Sequence, residues 1–270
     1  MRVLVSGPRG FVGARVMDQL IRDGFDAVPS PSFRNCSEED VKSVICRVQP
    51  EVIVHTAAIS DIGTCEQNPE LSYRANVELP LWIAKSGVKT LFFSTDQVYS
   101  GCESDGPYAE DETMPANTYA RHKLEMEQRV LEVNPESVLL RATWMYDMPM
   151  YGVPNRGNFL MNMLRQKSCA FSSTQRRGVT YVREVAGWLP QTIHLPGGIY
   201  NYGSENDLTM LETARWLKNE LQLDIELSDA GLRHHLWMNT DKLKASGICF
   251  KSTVDGLRQC MEDYQLKSFN

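Results

Sequence analysis

The chain has 270 residues, 42% hydrophobic and 23% charged, with a formal net charge of -6. That is enough chain to bury a core without staples, as one large domain or as a cofactor domain with a smaller companion. The acidic balance argues against nucleic acid or an anionic membrane as a partner. The cysteines, Cys36, Cys46, Cys65, Cys102, Cys169, Cys249 and Cys260, are odd in number, scattered and without a C-x-x-C. They read as reduced thiols of a cytoplasmic protein, not as a disulfide framework or a zinc site. His194 and the pair His234-His235 lack ligand partners at recognisable spacing, so no metal is expected. No apolar run approaches a membrane span, and Val3-Leu4-Val5 is too short for a signal segment.

In chain order, Val3 to Ser6 reads as a buried strand. Phe11, Val12, Val16, Leu20 and Ile21 then recur at helical spacing up to Arg22, and Gly24 stands where a helix C-terminal glycine would. Ala27-Val28 is a short second strand cut by Pro29 and Pro31. A helix follows over Glu38 to Val48, whose Glu38-Glu39-Asp40 suits an acidic first turn, and then a buried strand over Glu51 to His55. Pro69 to Lys85 reads as largely helical, Thr90 to Ser94 as a strand, Thr118 to Val133 as a long helix and Ser137 to Arg141 as a further strand. Strands alternating with helices over this length imply an α/β fold, a doubly wound parallel sheet with helices on both faces. Periodicity leaves the strand order open. Beyond Trp144 the pattern loosens: Met145 to Asn158 suits a loop, Phe159 to Arg165 a short helix, Gly198 to Tyr202 a strand and Thr209 to Leu221 an amphipathic helix. The expected division is a dinucleotide-binding Rossmann domain over 1–145 with about 177–205, and a smaller substrate-binding domain over about 146–176 and 206–270.

Between the first strand and the first helix lies Gly7-Pro8-Arg9-Gly10-Phe11-Val12-Gly13. Phosphates must approach the backbone closely, which glycine permits, and the following helix offers free N–H groups and a positive dipole end. The G-x-x-G-x-x-G spacing, between a strand and a helix, resembles the extended short-chain dehydrogenase/reductase family. In that pattern an acid after the second strand would hold the adenosine ribose of NAD. Here Ser30-Pro31-Ser32 takes its place, while Arg9 lies in the loop and Arg34 just beyond the strand. Hydroxyl and guanidinium groups suit a 2′-phosphate, so NADP(H) is the expected cofactor, with NAD(H) as the lesser one. Gly7, Arg9, Gly10, Phe11, Val12 and Arg34 form the expected cofactor cradle.

Tyr119 and Lys123 are four apart on a predicted helix and share a face, so an ammonium is expected to lower the phenol's pKa toward the working pH. Such a spacing is unspecific by itself. Upstream, however, Ser94-Thr95-Asp96-Gln97-Val98-Tyr99 resembles the S-T-D-x-V-[FY] segment of the dTDP-4-dehydrorhamnose reductase (RmlD-like) family. His55-Thr56-Ala57-Ala58 is similar to that family's H-x-A-A, Leu140 to Trp144 to its R-[TA]-x-W, and Asn158-Phe159 to its N-F pair, while Asn76 matches an asparagine that supports the site. The resemblance implies that Thr95, Tyr119 and Lys123 are catalytic, with Ser94 as a substitute hydroxyl, and that Ala57 and Ala58 lie against the cofactor. It also implies a nucleotide-sugar substrate near Asp96, Gln97, Trp144 and Asn158. Arg156 and Arg233 are candidates for its diphosphate.

The implied reaction is hydride transfer to a sugar ketone: Tyr119 protonates the alkoxide, Lys123 tunes Tyr119 and holds the nicotinamide ribose, and Thr95 orients the carbonyl. The chain departs from the family pattern at Gln175-Arg176-Arg177-Gly178, where Asp-Gln is common, and at Gln97, where Tyr is common. These departures bear on the substrate. Two other readings stand beside the reductase: a nucleotide-sugar epimerase or dehydratase, which the missing second-strand acid disfavours, and a non-catalytic NADP-binding regulatory subunit resembling the beta subunit of methionine adenosyltransferase. Extended family members often pair through helices, so a homodimer is a further expectation, although no diagnostic stripe marks it.

Overall fold

The structure, a computed structural model, describes residues 1–153, 157–232 and 235–266. Arg156, Arg233 and His234 lie outside the described residues. The chain begins with strand β1 (Arg2–Ser6), helix α1 (Phe11–Arg22), β2 (Asp26–Pro29), α2 (Glu38–Val48) and β3 (Val52–His55). Next come α3 (Ile62–Gln67), α4 (Pro69–Tyr73), α5 (Leu79–Ala84), β4 (Lys89–Thr95), α6 (Thr118–Val133) and β5 (Val138–Ala142). All five strands join one parallel sheet whose sixth member is β9 (Gly198–Tyr202), in the order β2-β1-β3-β4-β5-β9. The order reverses direction at β1 and β3, which places a crevice at their carboxyl ends.

Local rules account for most of these elements. Alternate residues of each strand feed opposite faces: Val3 and Val5 belong to one core and Leu4 to the other, Val54 to the first and Ile53 to the second. Both faces are therefore covered, as an all-parallel sheet requires. In α1 the buried residues are Gly13, Arg15, Val16 and Leu20. Ile21 sits off this stripe and is 60% exposed. Gly24 ends the helix at φ +79. A capping box starts α2, with the Ser37 side chain accepting from Asp40 N and the Asp40 carboxylate accepting from Ser37 N. Pro29 is tolerated because β2 is an edge strand.

The stretch from Pro69 to Lys85 is not one regular helix. A π-helical turn, Arg74–Glu78, separates α4 from α5 and carries the buried Asn76. Such turns recur at functional sites because the extra residue re-aims a side chain.

The C-terminal part adds β6 (Trp144–Tyr146), α7 (Phe159–Arg165), β7 (Ser168–Phe171), β8 (Val179–Tyr181), α8 (Val182–Gly187), α9 (Leu189–Thr192), α10 (Met210–Leu221), β10 (Glu226–Asp229), α11 (Asp241–Ala245) and α12 (Thr253–Asp263). Met145 and Tyr146, expected in a loop, extend a strand that pairs with β8, while β7 pairs with β10. A third core joins β6, α7, β8, α10 and α12 through Tyr146, Phe159, Val179, Tyr181, Leu217 and Leu257. Leu243 and Ile248 instead pack on the large sheet. No described helix is long and apolar enough to cross a membrane.

Candidate active site

The turn after β1 is shaped by glycine at two positions. Gly7 has φ +82, and a Cβ there would stand 2.8 Å from Ala57 N. At Gly13 a Cβ would stand 2.1 Å from Gly7 O, so only glycine lets α1 press onto the loop. Gly10 N donates to Gly7 O at 2.9 Å and closes the turn, and a Cβ on Gly10 would meet only that oxygen, at 3.3 Å. The loop is braced from the residue after β3, where the Thr56 hydroxyl donates to Ser6 O at 2.8 Å. Arg9 and Gly10 are exposed, Phe11 and Val12 half-buried. Among the described residues, the guanidinium groups of Arg9 and Arg34 have no hydrogen bond or ion pair, and both are exposed. Ala57 is half-buried and Ala58 exposed at the start of the next loop. The result is a bare glycine cradle at a helix N-terminus with two uncommitted cations, a donor set that fits a phosphorylated dinucleotide.

Thr95 ends β4, and its hydroxyl accepts from Gln97 N at 3.2 Å to cap a short 3-10 turn, Asp96–Tyr99. Tyr119 lies in the first turn of α6. Asn117 caps that helix by accepting from Ala120 N at 2.8 Å, and Glu66 of α3 grips Thr118 N at 2.6 Å and its hydroxyl at 2.8 Å. These caps hold the phenol against Thr95 in a corner where Tyr119 is 7% exposed and Thr95 6%. Burial raises the Tyr119 pKa, the Thr95 hydroxyl and the Arg177 guanidinium lower it, and Asp96 and Cys65 raise it.

Lys123 does not supply the expected pull on the phenol. Its Nζ donates to Phe93 O at 2.7 Å, beneath the strand end. Burial lowers its own pKa to about 8, opposed by the charge of Glu127. The phenol is accordingly kept in its acid form, ready to give a proton. His55, also under this corner, shares a hydrogen between Nδ1 and the Ser6 hydroxyl at 3.0 Å. Burial and the Lys123 charge bring it to about 3, so it is a neutral ring.

Ser94, the alternative hydroxyl, faces away from the cleft. It donates to Glu127 at 2.5 Å, and Glu127 is paired with Arg141 at 2.6 Å. Arg141 also donates to the Tyr99 hydroxyl at 2.8 Å, which donates to Asn201 at 2.7 Å. This buried chain ties β4, α6, β5 and β9 beneath the site, and it explains why a charged residue sits in the middle of a buried strand. Asn76 braces the loop after β3, donating to Ile59 O at 2.9 Å and accepting from Ile59 N at 3.2 Å.

Of the expected substrate residues, Gln97 accepts from Asn117 Nδ2 at 3.2 Å and lines a hollow of about 340 Å³ that reaches Ser100 and Asn117. Trp144 is half-buried and lines a second hollow of about 440 Å³ with Asn162, Gln166, Phe171 and Arg177. Two expectations are corrected. Asp96 has no exposed surface, because Arg177 clamps both carboxylate oxygens at 2.6 and 3.0 Å. Asn158 is 2% exposed and its amide is committed locally, donating to Asp147 O at 2.8 Å and capping α7 by accepting from Met161 N at 3.0 Å.

Arg15 and Asp147 were not anticipated from the sequence. They form a buried pair at 2.5 Å, and Arg15 also donates to Phe11 O and Met148 O. The pair ties the glycine-loop helix to the segment after β6. One signal was present: Arg15 stands four residues after Phe11, a charge on an otherwise apolar stripe. Among the described residues no group of three or more His, Cys, Asp or Glu could hold a metal ion.

Comparison with known proteins agrees with this geometry. The chain is similar to methionine adenosyltransferase 2 subunit beta of Danio rerio, 29% identical over 234 residues that cover 78% of this chain and 71% of that protein. It is 30% identical to dTDP-4-dehydrorhamnose reductase of Mycolicibacterium smegmatis over 152 residues, 54% of this chain and 46% of the reductase's length. Among solved structures, dTDP-4-dehydrorhamnose reductase from Bacillus anthracis in complex with NADP superposes with a TM-score of 0.84 at 21% identity, over 97% of this chain and 99% of that one. The model of the RmlD substrate binding domain matches residues 1–232, and the chain belongs to that family.

Proposed function

We propose that the chain is an NADP(H)-dependent oxidoreductase that reduces the ketone of a 4-keto-deoxysugar nucleotide, dTDP-4-dehydrorhamnose or a close analogue. The observation that carries this reading is the corner at the end of β4. There a phenol, Tyr119, and a hydroxyl, Thr95, meet at the strand's carboxyl end; the turn that follows borders a hollow at Gln97, and the glycine cradle lies at the carboxyl end of β1 in the same parallel sheet. The cofactor would lie on the larger unit, 1–145 with about 177–205, and the sugar nucleotide over about 146–176 and 206–270. The seven unpaired thiols suit a cytoplasmic setting.

When bound, the cofactor supplies the hydride for the carbonyl carbon. Gly7, Gly10 and the N–H groups at the start of α1 would hold its pyrophosphate, with Phe11 and Val12 behind them and Ala57 and Ala58 alongside. Arg9 and Arg34 would take a 2′-phosphate, so NADP(H) is favoured over NAD(H). Thr95 polarises the carbonyl oxygen by donating a hydrogen bond, and Tyr119 gives its proton to the same oxygen as charge develops there. Lys123, buried beneath, would hold the nicotinamide ribose once the cofactor is bound; without it, its Nζ is bonded to Phe93 O.

A second reading keeps the cofactor and drops turnover. The likeness to a methionine adenosyltransferase beta subunit over most of the chain favours it. Oxidation of NADPH, and separately of NADH, in the presence of dTDP-4-dehydrorhamnose separates the two when Tyr119→Phe is run beside the parent. Turnover that falls by about 10²- to 10⁴-fold in the variant supports the reductase. Tight NADPH binding with no turnover in either protein rejects it and leaves the regulatory reading.

A further inference from the structure

Helix α1 buries one charge, Arg15, and the segment after β6 closes around it. Arg15 Nε donates to Asp147 at 2.5 Å and Nη2 to Met148 O at 2.9 Å, and the guanidinium lies 5.5 Å from the centre of the Tyr151 ring. Toward the glycine loop, Nη1 donates to Phe11 O at 2.8 Å, and the centre of the Phe11 ring is 4.2 Å from the guanidinium. The side chains of Arg15 and Asp147 are 2% and 0% exposed. A third element completes the node. The Tyr264 hydroxyl, at the end of α12, donates to Asp147 at 2.7 Å and accepts from Arg183 Nη2 at 2.8 Å. It also touches Met150 Sδ, a much weaker acceptor than a carboxylate. An unbroken chain of contacts, Tyr264 to Asp147 to Arg15 to Phe11, thus joins the last helix to the first residue of α1.

Packing α1 on the sheet does not require a charge at this position. A buried ion pair brings little net stability, because desolvation offsets the attraction. What it does supply is direction, since the rigid fork of a guanidinium accepts few placements. Here that direction is toward Phe11. Its N–H opens the helix directly after Gly10 and is one of the free donors at the N-terminus of α1, so a shift of its peptide would re-aim those donors. Taking the dinucleotide reading of the glycine loop as given, we propose that Tyr264 and Asp147 are positioning residues for the cofactor. Acting through Arg15, they hold Phe11 and the first turn of α1 in the geometry that receives the pyrophosphate, so docking of the C-terminal helix helps to set the affinity for NADP(H). Asp147 is the hub, because it alone bonds both Arg15 and the Tyr264 hydroxyl.

Fluorescence titration of NADPH into the full chain tests this, with Tyr264→Phe and Asp147→Asn beside the parent. Each variant should weaken NADPH about fivefold, the equivalent of one net hydrogen bond. Tyr181→Phe is the matched control: its hydroxyl donates to Asp263 of the same helix at 2.9 Å and, among the described residues, makes no bond to Arg15 or Asp147. It should lower the thermal midpoint as Tyr264→Phe does while leaving NADPH within about twofold of the parent. Hydrogen exchange in the cofactor-free proteins reads the same relay without a ligand, and the amides of residues 11–15 should exchange faster in Tyr264→Phe than in Tyr181→Phe. Equal weakening of NADPH by Tyr264→Phe and Tyr181→Phe overturns the proposal, because α12 would then matter only for stability. So does parent-like affinity in either Tyr264→Phe or Asp147→Asn. A parent protein that binds no NADPH rejects the dinucleotide reading together with this one, a result distinct from tight parent binding that the variants leave unchanged.

Discussion

Replacing Lys123 by Met should stabilise the cofactor-free protein at neutral pH, and the gain should disappear in base. Lys123 is 2% exposed, and burial moves its pKa from 10.5 to about 8. Between these two values the unfolded chain holds a proton that the folded chain has released, so stability attributable to this group rises with pH across that window. Below about pH 8 both states are protonated and the folded state carries the full desolvation cost, about 3 kcal/mol for a displacement of this size. Met fills similar space without the charge but forfeits the 2.7 Å bond to Phe93 O, worth about 1 kcal/mol. The variant should therefore be about 2 kcal/mol more stable at pH 7 and about 1 kcal/mol less stable above pH 10.5, with the sign changing in between. Urea unfolding of both proteins from pH 6.5 to 10.5 reads this directly, as a midpoint difference at constant slope. A difference that stays flat over that range would refute the reasoning, because it would mean that the ammonium is solvated in the folded protein. Turnover with the nucleotide-sugar ketone should be lost at every pH.

Other substitutions probe the remaining parts. Gly13→Ala places a Cβ 2.1 Å from Gly7 O, so both the thermal midpoint and NADPH affinity should drop; Gly10→Ala, with one contact at 3.3 Å, should lower the midpoint far less, and equal losses would contradict the packing account. Arg15→Met removes the nearer of two guanidinium groups at the buried Asp147, which keeps Arg183 at 3.9 Å and the Tyr264 hydroxyl at 2.7 Å, and should cost up to about 3 kcal/mol in urea unfolding. Adding Asp147→Asn should recover part of that cost, and a double variant less stable than the single would argue against a charge-based origin. Arg9→Ala with Arg34→Ala should weaken NADPH about tenfold or more while leaving NADH within about twofold, as read by fluorescence titration; parallel losses for both cofactors would dismiss the 2′-phosphate role.

Much of the site was legible in the chain because its signals are local. A glycine loop is constrained by the backbone angles and close approaches of neighbouring residues, so Gly7 and Gly13 could be recognised from spacing alone. Tyr119 and Lys123 share a helix face for the same reason that any residues four apart do. The reach of a buried ammonium is a different matter. Whether Lys123 pulls on a phenol or bonds a strand carbonyl depends on where β4 passes under α6, and no periodicity encodes that. Asn158 shows the same limit from the other side. Its match to a family pair pointed to the substrate, yet an asparagine before a helix is also a cap, and here the cap uses the amide.

By itself, then, the order of residues determined the alternation of strands and helices, the glycine turn after β1 and the placement of Tyr119 and Lys123 on one helix, because each rests on contacts within a few residues. Only the tertiary structure decided the strand order, the clamp of Arg177 on Asp96, the Arg15–Asp147 link and the bond of Ser94 to Glu127. Those depend on pairs of residues 30 to more than 100 positions apart, such as Asp96 and Arg177 at a separation of 81, Ser94 and Glu127 at 33, and Arg15 and Asp147 at 132. Their meeting is set by how buried surfaces pack, and the local pattern of hydrophobic and polar residues is the same whichever partner each of them finds.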